Sequence, residues 1–447
     1  MQPLFITSEQ IQQWRSDFRK EPRYLQALNA VCANPIQKVL RNREAVTQTD
    51  FSFSHHLPEN KATAQMKSGR CWLFAAQNAL RYAAIRQLNV GEDFELSPNY
   101  LMFWDKLERS NYFLEAILET TAEPLEGRLL HHLLEDPLQD GGQWHMFVNL
   151  IQKYGAVPKQ IMPETESSAN TYPLNKLLTG KLREFAHRLR EESQKGGTPE
   201  ALQRKKNEML KVIYRILAIH LGEPPQSFYW QWRDKEKNFH RDGEITPQEF
   251  YKRYVSVDLS DYVCLIHCPQ KSKQFHECYT IRYLGNVMGG EIIRYLNVEL
   301  DIIKNAAVQQ LLSGESVWFG SDVGHAFDRE LGIFDVNIYD FESVFETSIK
   351  LNKAERLDYG QSKMNHAMLF TGVDLDERER PRKWRVENSW GDQLGDKGFM
   401  VMTDLWFDEY TYEVVVHKRF VSQEVLDLLK KDPIPLDPWD PMGALAL

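Results

Sequence analysis

Apolar residues recur at positions 72, 73, 76, 79, 80, 83 and 84, the spacing of one helix face, and predict a helix from Trp72 to Leu88. Ser68, followed by Gly69 and Arg70, suits its N-cap, which would set Cys71 near the third helical position. The same period marks residues 8–30 behind a cap at Thr7 or Ser8, and a long helix opening after Ser97-Pro98. A shorter helix follows Gly141-Gly142 and stops at Gly155 and Pro158. Residues 174–221 are charged and helical, with a break at "KGGTPE", and residues 222–260 mix aromatics, charges and prolines. Near 261 the period changes. "YVCLIHC", "VWFGSD", "HAMLFTGVD", "KWRVEN", "GFMVM" and "YEVVV" are short β-like runs separated by turns, interrupted by one helix near 299–313. Helices first and strands later make an α+β chain.

At 447 residues the chain is long for one compact unit, and 42% hydrophobic residues with 11 tryptophans supply a sizeable core. A net charge of −9 gives no overall drive toward nucleic acid or an anionic membrane. Five cysteines, Cys32, Cys71, Cys264, Cys268 and Cys278, are too few and odd in number for a disulfide framework, which favours a reducing, cytoplasmic setting. The opening residues lack the apolar core of a signal peptide, and nowhere do eighteen apolar residues run together.

Cys71 draws attention because a thiol at the start of a helix sits among unpaired backbone N–H groups, a field that favours the thiolate. Thiol catalysis needs an imidazole, a group to orient it and donors for an oxyanion. Gln65 can present a side-chain amide and Cys71 its own backbone N–H as those donors. Far downstream, "NHAMLFTGV" puts His366 at the head of one β-like run, and "VENSWG" puts Asn388 at the end of the next. Antiparallel neighbours would bring the two together, the amide holding the ring by its second nitrogen, with Trp390 as a cover.

In this order the residues resemble the papain-like cysteine peptidases, and more closely the bleomycin hydrolase/aminopeptidase C family. "SGRCWLFA", "DGGQW", "KYGAVPK", "WFGSDVG", "NKAERLDYG", "KWRVENSWGD", "MTDLWFDEYTYEVVV" and "DPWDPMGALA" carry the closer likeness. The resemblance implies Cys71 as nucleophile, His366 as acid/base, Asn388 as orienting amide and Gln65 as oxyanion donor. It implies Gly141, Gly142, Trp390, Ala446 and Leu447 on the substrate side, no metal and no cofactor. It further implies a papain-like fold of a helical and a β-barrel lobe with a large helical insertion, assembled as a homohexameric ring. Peptides with a free N-terminus are the implied substrates, the C-terminal arm entering the cleft so that its carboxylate holds their α-ammonium.

The corresponding division is an N-terminal helical arm (1–64), a helical lobe with the nucleophile (65–160) and a helical insertion serving oligomerisation (161–260). A β-barrel lobe with His366 and Asn388 (261–420) and the arm (421–447) follow. Three departures from the family pattern are the Thr63-Ala64-Gln65-Met66 run where T-N-Q-K is usual, His145 in place of an acidic residue, and Leu447 beyond the usual final alanine. From Pro433 onward the prolines favour an extended arm. Competing readings are a papain-like endopeptidase, a transglutaminase-like acyltransferase, which typically orients histidine with aspartate, and a non-catalytic binding ring. Cys264, His267, Cys268, His276 and Cys278 look like a zinc cluster, but in a strand Cys264 and Cys268 stand roughly 13 Å apart. The calcium-like loop 234–245 has Phe239 where glycine is required.

Overall fold

The computed structural model describes residues 4–446. The helix that begins at Cys71 spans Cys71–Leu88 and lies almost wholly inside the molecule, burying Trp72, Leu73, Ala76, Leu80 and Ala84. Its N-cap is Arg70 rather than Ser68, and Cys71 is its first residue. Ser68 is occupied elsewhere, its hydroxyl donating to the Gln65 carbonyl at 2.6 Å. The helix after Ser97 runs Pro98–Glu119, with the Ser97 hydroxyl accepting from the Tyr100 N–H. The helix after the glycine pair runs Trp144–Tyr154 and ends at Gly155, whose φ of 70° is in the left-handed region.

The β half is built on one sheet. Its strand order is Ile434–Leu436, Cys278–Ile281, Tyr295–Asn297, Tyr262–Ile266, Thr411–His417, Val317–Ser321, His366–Leu375, Pro381–Glu387, Phe399–Thr403, Ile333–Phe334 and Phe327–Asp328. His366–Leu375 is central, antiparallel to both Val317–Ser321 and Pro381–Glu387. Alternation along these strands sends Val317, Phe319, Met368 and Phe370 to one core, and Trp318, Ala367 and Leu369 to the core shared with the nucleophile helix. Two halves of the chain therefore meet along the face that carries His366 and Cys71.

Three expectations change. Residues 8–30 form two helices, Ser8–Lys20 and Pro22–Ala33, because Pro22 forces Glu21 into an extended conformation and starts a new helix. Residues 228–245 form a hairpin, Phe228–Arg233 with Phe239–Ile245, that the aromatic-rich sequence did not announce. Exposed apolar side chains are not confined to the insertion. In its long helices Tyr172–Gln194 and Pro199–Leu221, Leu174, Leu178, Leu182, Phe185, Leu189, Ile213 and Leu217 are buried while Tyr172, Leu177 and Ile219 are exposed. Ser8–Lys20 buries no residue and leaves Ile11, Trp14 and Phe18 exposed.

The arm adds Ile434–Leu436 as a parallel edge strand beside Cys278–Ile281. It then departs from the extended form expected, closing in 3-10 turns over Pro441–Ala446 with Met442, Ala444 and Leu445 buried. Lys273 Nζ meets Asp440 Oδ2 at 2.8 Å, and the Tyr295 hydroxyl donates to the Met442 carbonyl at 3.3 Å. Trp439 lies under the Arg128 guanidinium at 3.8 Å. Leu447 and the side chain of Ala446, both expected on the substrate side, lie outside the described residues. No described helix is long and apolar enough to cross a membrane.

Candidate active site

Cys71 is 4% exposed at the very start of its helix. The helix terminus that favours the thiolate is opposed at this thiol by burial. Burial pushes it up to about 11, against the pull of the N–H groups of Ala367, Trp72 and Cys71 itself. Desolvation outweighs the field of one helix end because the thiol is closed in by both halves of the chain. The Ala367 N–H that faces the thiol belongs to the residue after His366, so the imidazole and thiol share one corner of the cleft.

His366 Nε2 and Asn388 Oδ1 are 2.9 Å apart, both buried. Asn388 Oδ1 also accepts from the Ser389 N–H at 2.7 Å. Antiparallel pairing of the two strands explains the meeting, since His366 opens one and Asn388 follows directly on Glu387, the end of the other. Trp390 stacks on the ring, with centroids 4.8 Å apart and planes at 25°, and Arg329 caps the indole at 4.4 Å. Burial drives the imidazole down to about 4, partly opposed by the bond to Asn388.

Gln65 reaches the same corner. Its Oε1 accepts from the Ser389 hydroxyl at 2.6 Å, and its backbone N–H donates to the Ser389 carbonyl at 2.8 Å. The amide nitrogen therefore turns the other way, toward the loop before Cys71, where it donates to the Ser68 carbonyl. One of its two hydrogens is left for an oxyanion. Met66, one of the family departures, is exposed and takes a φ of 55° in this loop.

The glycine pair is held from below. A Cβ on Gly142 would lie 2.4 Å from Cε2 of Trp72, so only glycine lets that indole pack beside the nucleophile. The Gly141 carbonyl accepts from the Arg109 guanidinium.

Asp140 is the hub that sequence reasoning missed. It accepts from the Gly69 N–H at 2.9 Å, from Lys106 Nζ at 2.7 Å, from Asn175 Nδ2 at 2.8 Å and from the Thr171 hydroxyl. Its carbonyl takes the Trp72 indole N–H at 2.7 Å. Burial works against its charge, yet Lys106, Thr171 and Asn175 hold the carboxyl well below the usual range. The cysteine loop, the glycine pair and the insertion are thus tied through one carboxylate. Its place directly before Gly141-Gly142 was the available signal.

His145 lies away from the thiol of Cys71, its Nδ1 being 3.7 Å from Cys264 Sγ. All five cysteines are free, and no group of metal-ligating side chains is found among the described residues. A cavity of about 460 Å³ is lined by Gln139, Lys363 and Trp439 among others, so the arm borders the segments leading to both Gly141 and His366.

A buried thiol, an amide-bound imidazole and a glutamine amide converging between a helical and a β half is a peptidase arrangement, and comparison with known proteins agrees. A sequence profile described as the Peptidase C1-like family matches residues 5–443. The chain belongs to that family. Aminopeptidase C of Listeria innocua serovar 6a is 45% identical, covering 99% of this chain and 99% of the relative. Bleomycin hydrolase of Gallus gallus is 44% identical, again over 99% of each. The crystal structure of PepW from Lactobacillus rhamnosis HN001 superposes with a TM-score of 0.97 at 46% identity, covering 99% of both chains. The papain-like α+β architecture expected from the sequence is the one observed, and Peptidase C1-like chemistry makes this protein a cysteine peptidase.

Proposed function

We propose that this Peptidase C1-like protein is a thiol aminopeptidase that removes residues from the free N-terminus of peptides through an acyl-enzyme on Cys71. The full-length likeness to aminopeptidase C and bleomycin hydrolase supports the activity. The observation that carries the residue roles is the His366–Asn388 contact of 2.9 Å beside the Ala367 N–H that faces the thiol. In this reading His366 takes the Cys71 proton, and Sγ attacks the carbonyl of the first peptide bond. The N–H groups of Gln65 and Cys71 receive the oxyanion. His366 then returns the proton to the leaving amine, and water, deprotonated by the same ring, releases the acyl group. Gly141, Gly142 and Trp390 border the substrate.

The arm supplies the exopeptidase character, its terminal carboxylate facing the substrate's α-ammonium and its bulk closing the far side of the cleft. Burial of Met442 and Leu445, and the Lys273–Asp440 and Tyr295–Met442 contacts, support a seated arm. A cytoplasmic homohexamer is the setting proposed. The exposed Ile11, Trp14 and Phe18 support the N-terminal helices as an assembly surface alongside the insertion, where Tyr172, Leu177 and Ile219 are exposed. Turnover of an aminoacyl-coumarin by Cys71→Ala tests the core of this reading. Complete loss with an unchanged melting curve is expected, and residual activity above a thousandth of wild type contradicts it.

A further inference from the structure

Glu413 is fully buried in the strand Thr411–His417, and among the described residues neither carboxyl oxygen has a hydrogen-bond partner. Burial pushes the acid up to about 8, against the pull of the neighbouring Cys264 thiol, the one polar group that faces it among the described residues. A lone acid in an apolar strand that otherwise reads Val-Val-Val is costly, and the mechanism above does not use it.

Its position gives it a use. Glu413 pairs with Gly320, and Gly320 pairs with Ala367, whose N–H faces the Cys71 thiol. Two strand spacings, about 10 Å in all, separate the Glu413 backbone from that of Ala367, and the two side chains leave the same face of the sheet. Gly320 leaves the intervening face open. A Cβ there would stand 3.7 Å from Glu413 Cβ and 2.3 Å from Met364 Sδ, so the flexible thioether of Met364 fills the space beside the acid. On its other side are the Cys264 thiol, backed by His145, and Tyr295, whose hydroxyl holds the Met442 carbonyl of the arm. Among the described residues no cation pairs with the carboxyl, and it is held in its protonated form between the Ala367 strand and Tyr295.

We propose that Glu413 is a second counter-charge for the substrate's α-ammonium, built into the cleft floor beside the carboxylate of the arm. The inference rests on the aminopeptidase reading and deepens it. Met364 swings aside as the first residue enters over Gly320. An incoming ammonium lets Glu413 release its proton to water, whereas an incoming neutral amine takes that proton itself. Either route ends in the same ammonium–carboxylate pair. Recognition of the amine then has two components, one from the arm and one from the sheet.

The test compares a phenylalanyl-coumarin amide with its des-amino 3-phenylpropionyl counterpart in the full-length enzyme. Glu413→Gln is expected to lower kcat/KM for the amine substrate about 10- to 100-fold, chiefly through KM, and to leave the des-amino substrate unchanged. Glu413→Asp, which keeps the charge, is expected to retain most of the amine preference and serves as the deciding variant if the glutamine form does not fold. Alkylation of Cys71 by iodoacetamide is expected at the wild-type rate in both, which separates this inference from the catalytic one. An unchanged amine preference in Glu413→Gln, an equal loss on both substrates, or loss of the preference in folded Glu413→Asp overturns the proposal. Failure of iodoacetamide to stop the wild-type enzyme overturns the catalytic reading instead.

Discussion

Asn388 Oδ1 accepts from the Ser389 N–H at 2.7 Å and faces His366 Nε2 at 2.9 Å, so the amide oxygen is the atom turned to the ring. His366 must then carry its proton on Nε2 and present Nδ1 as the basic nitrogen. The asparagine thereby selects the tautomer that can receive a thiol proton. Asn388→Ala should lower kcat about 10- to 100-fold with a small change in KM, because it frees the ring without touching the substrate. Steady-state kinetics on one aminoacyl substrate check this, and a wild-type kcat would mean another group holds the ring.

Burial disfavours a charge on Cys71 or His366 taken singly, pushing the thiol up to about 11 and the imidazole down to about 4. Between those limits the pair holds one proton in common, and moving it from sulfur to Nδ1 leaves the pair's total charge unchanged. A second proton is gained only as pH falls toward about 4, and the shared one is lost only toward about 11. Alkylation of Cys71 should therefore be nearly independent of pH from about 5 to 9. A rate that climbs with a midpoint near about 8.5, like an isolated thiol, would show that His366 does not share the proton.

Asp140 and Lys106 form a buried ion pair at 2.7 Å that also holds the Gly69 N–H and the insertion residues Thr171 and Asn175. Asp140→Ala strands the Lys106 charge and should destabilise the fold by about 3–5 kcal/mol. Denaturant unfolding measures it; a loss under about 1 kcal/mol would mean that water replaces the carboxylate.

Assembly should depend on the exposed face of Ser8–Lys20. Replacing Trp14 and Phe18 by aspartate, both being exposed with no buried neighbour on that helix, should leave the melting temperature within a few degrees and lower the sedimenting mass. A hexamer unaffected by the double substitution would move the interface elsewhere.

The meeting of His366 with Asn388 was legible because the two stand at facing strand ends, which antiparallel pairing brings together. Cys71 stood out as a thiol at the start of an apolar helix. The capping of the nucleophile helix was not legible, since Ser68 spends its hydroxyl on the Gln65 carbonyl and leaves Arg70 as the cap. The burial around the thiol was not legible for a related reason. A helix terminus is visible in sequence, whereas closure by a strand almost three hundred residues away is not. Glu413 was not singled out in the β-like run "YEVVV" because a lone acid there carries no motif, and its full burial follows from pairing of its strand on both sides.

The most direct measurement compares aminoacyl and N-acetyl-aminoacyl coumarin amides as substrates of the purified enzyme, before and after treatment with iodoacetamide. Rapid hydrolysis of the free-amine substrate, at least about a hundredfold preference over the acetylated one, and complete loss on alkylation of Cys71 are expected. Equal hydrolysis of both substrates, or activity that survives alkylation, would contradict a thiol aminopeptidase working through Cys71.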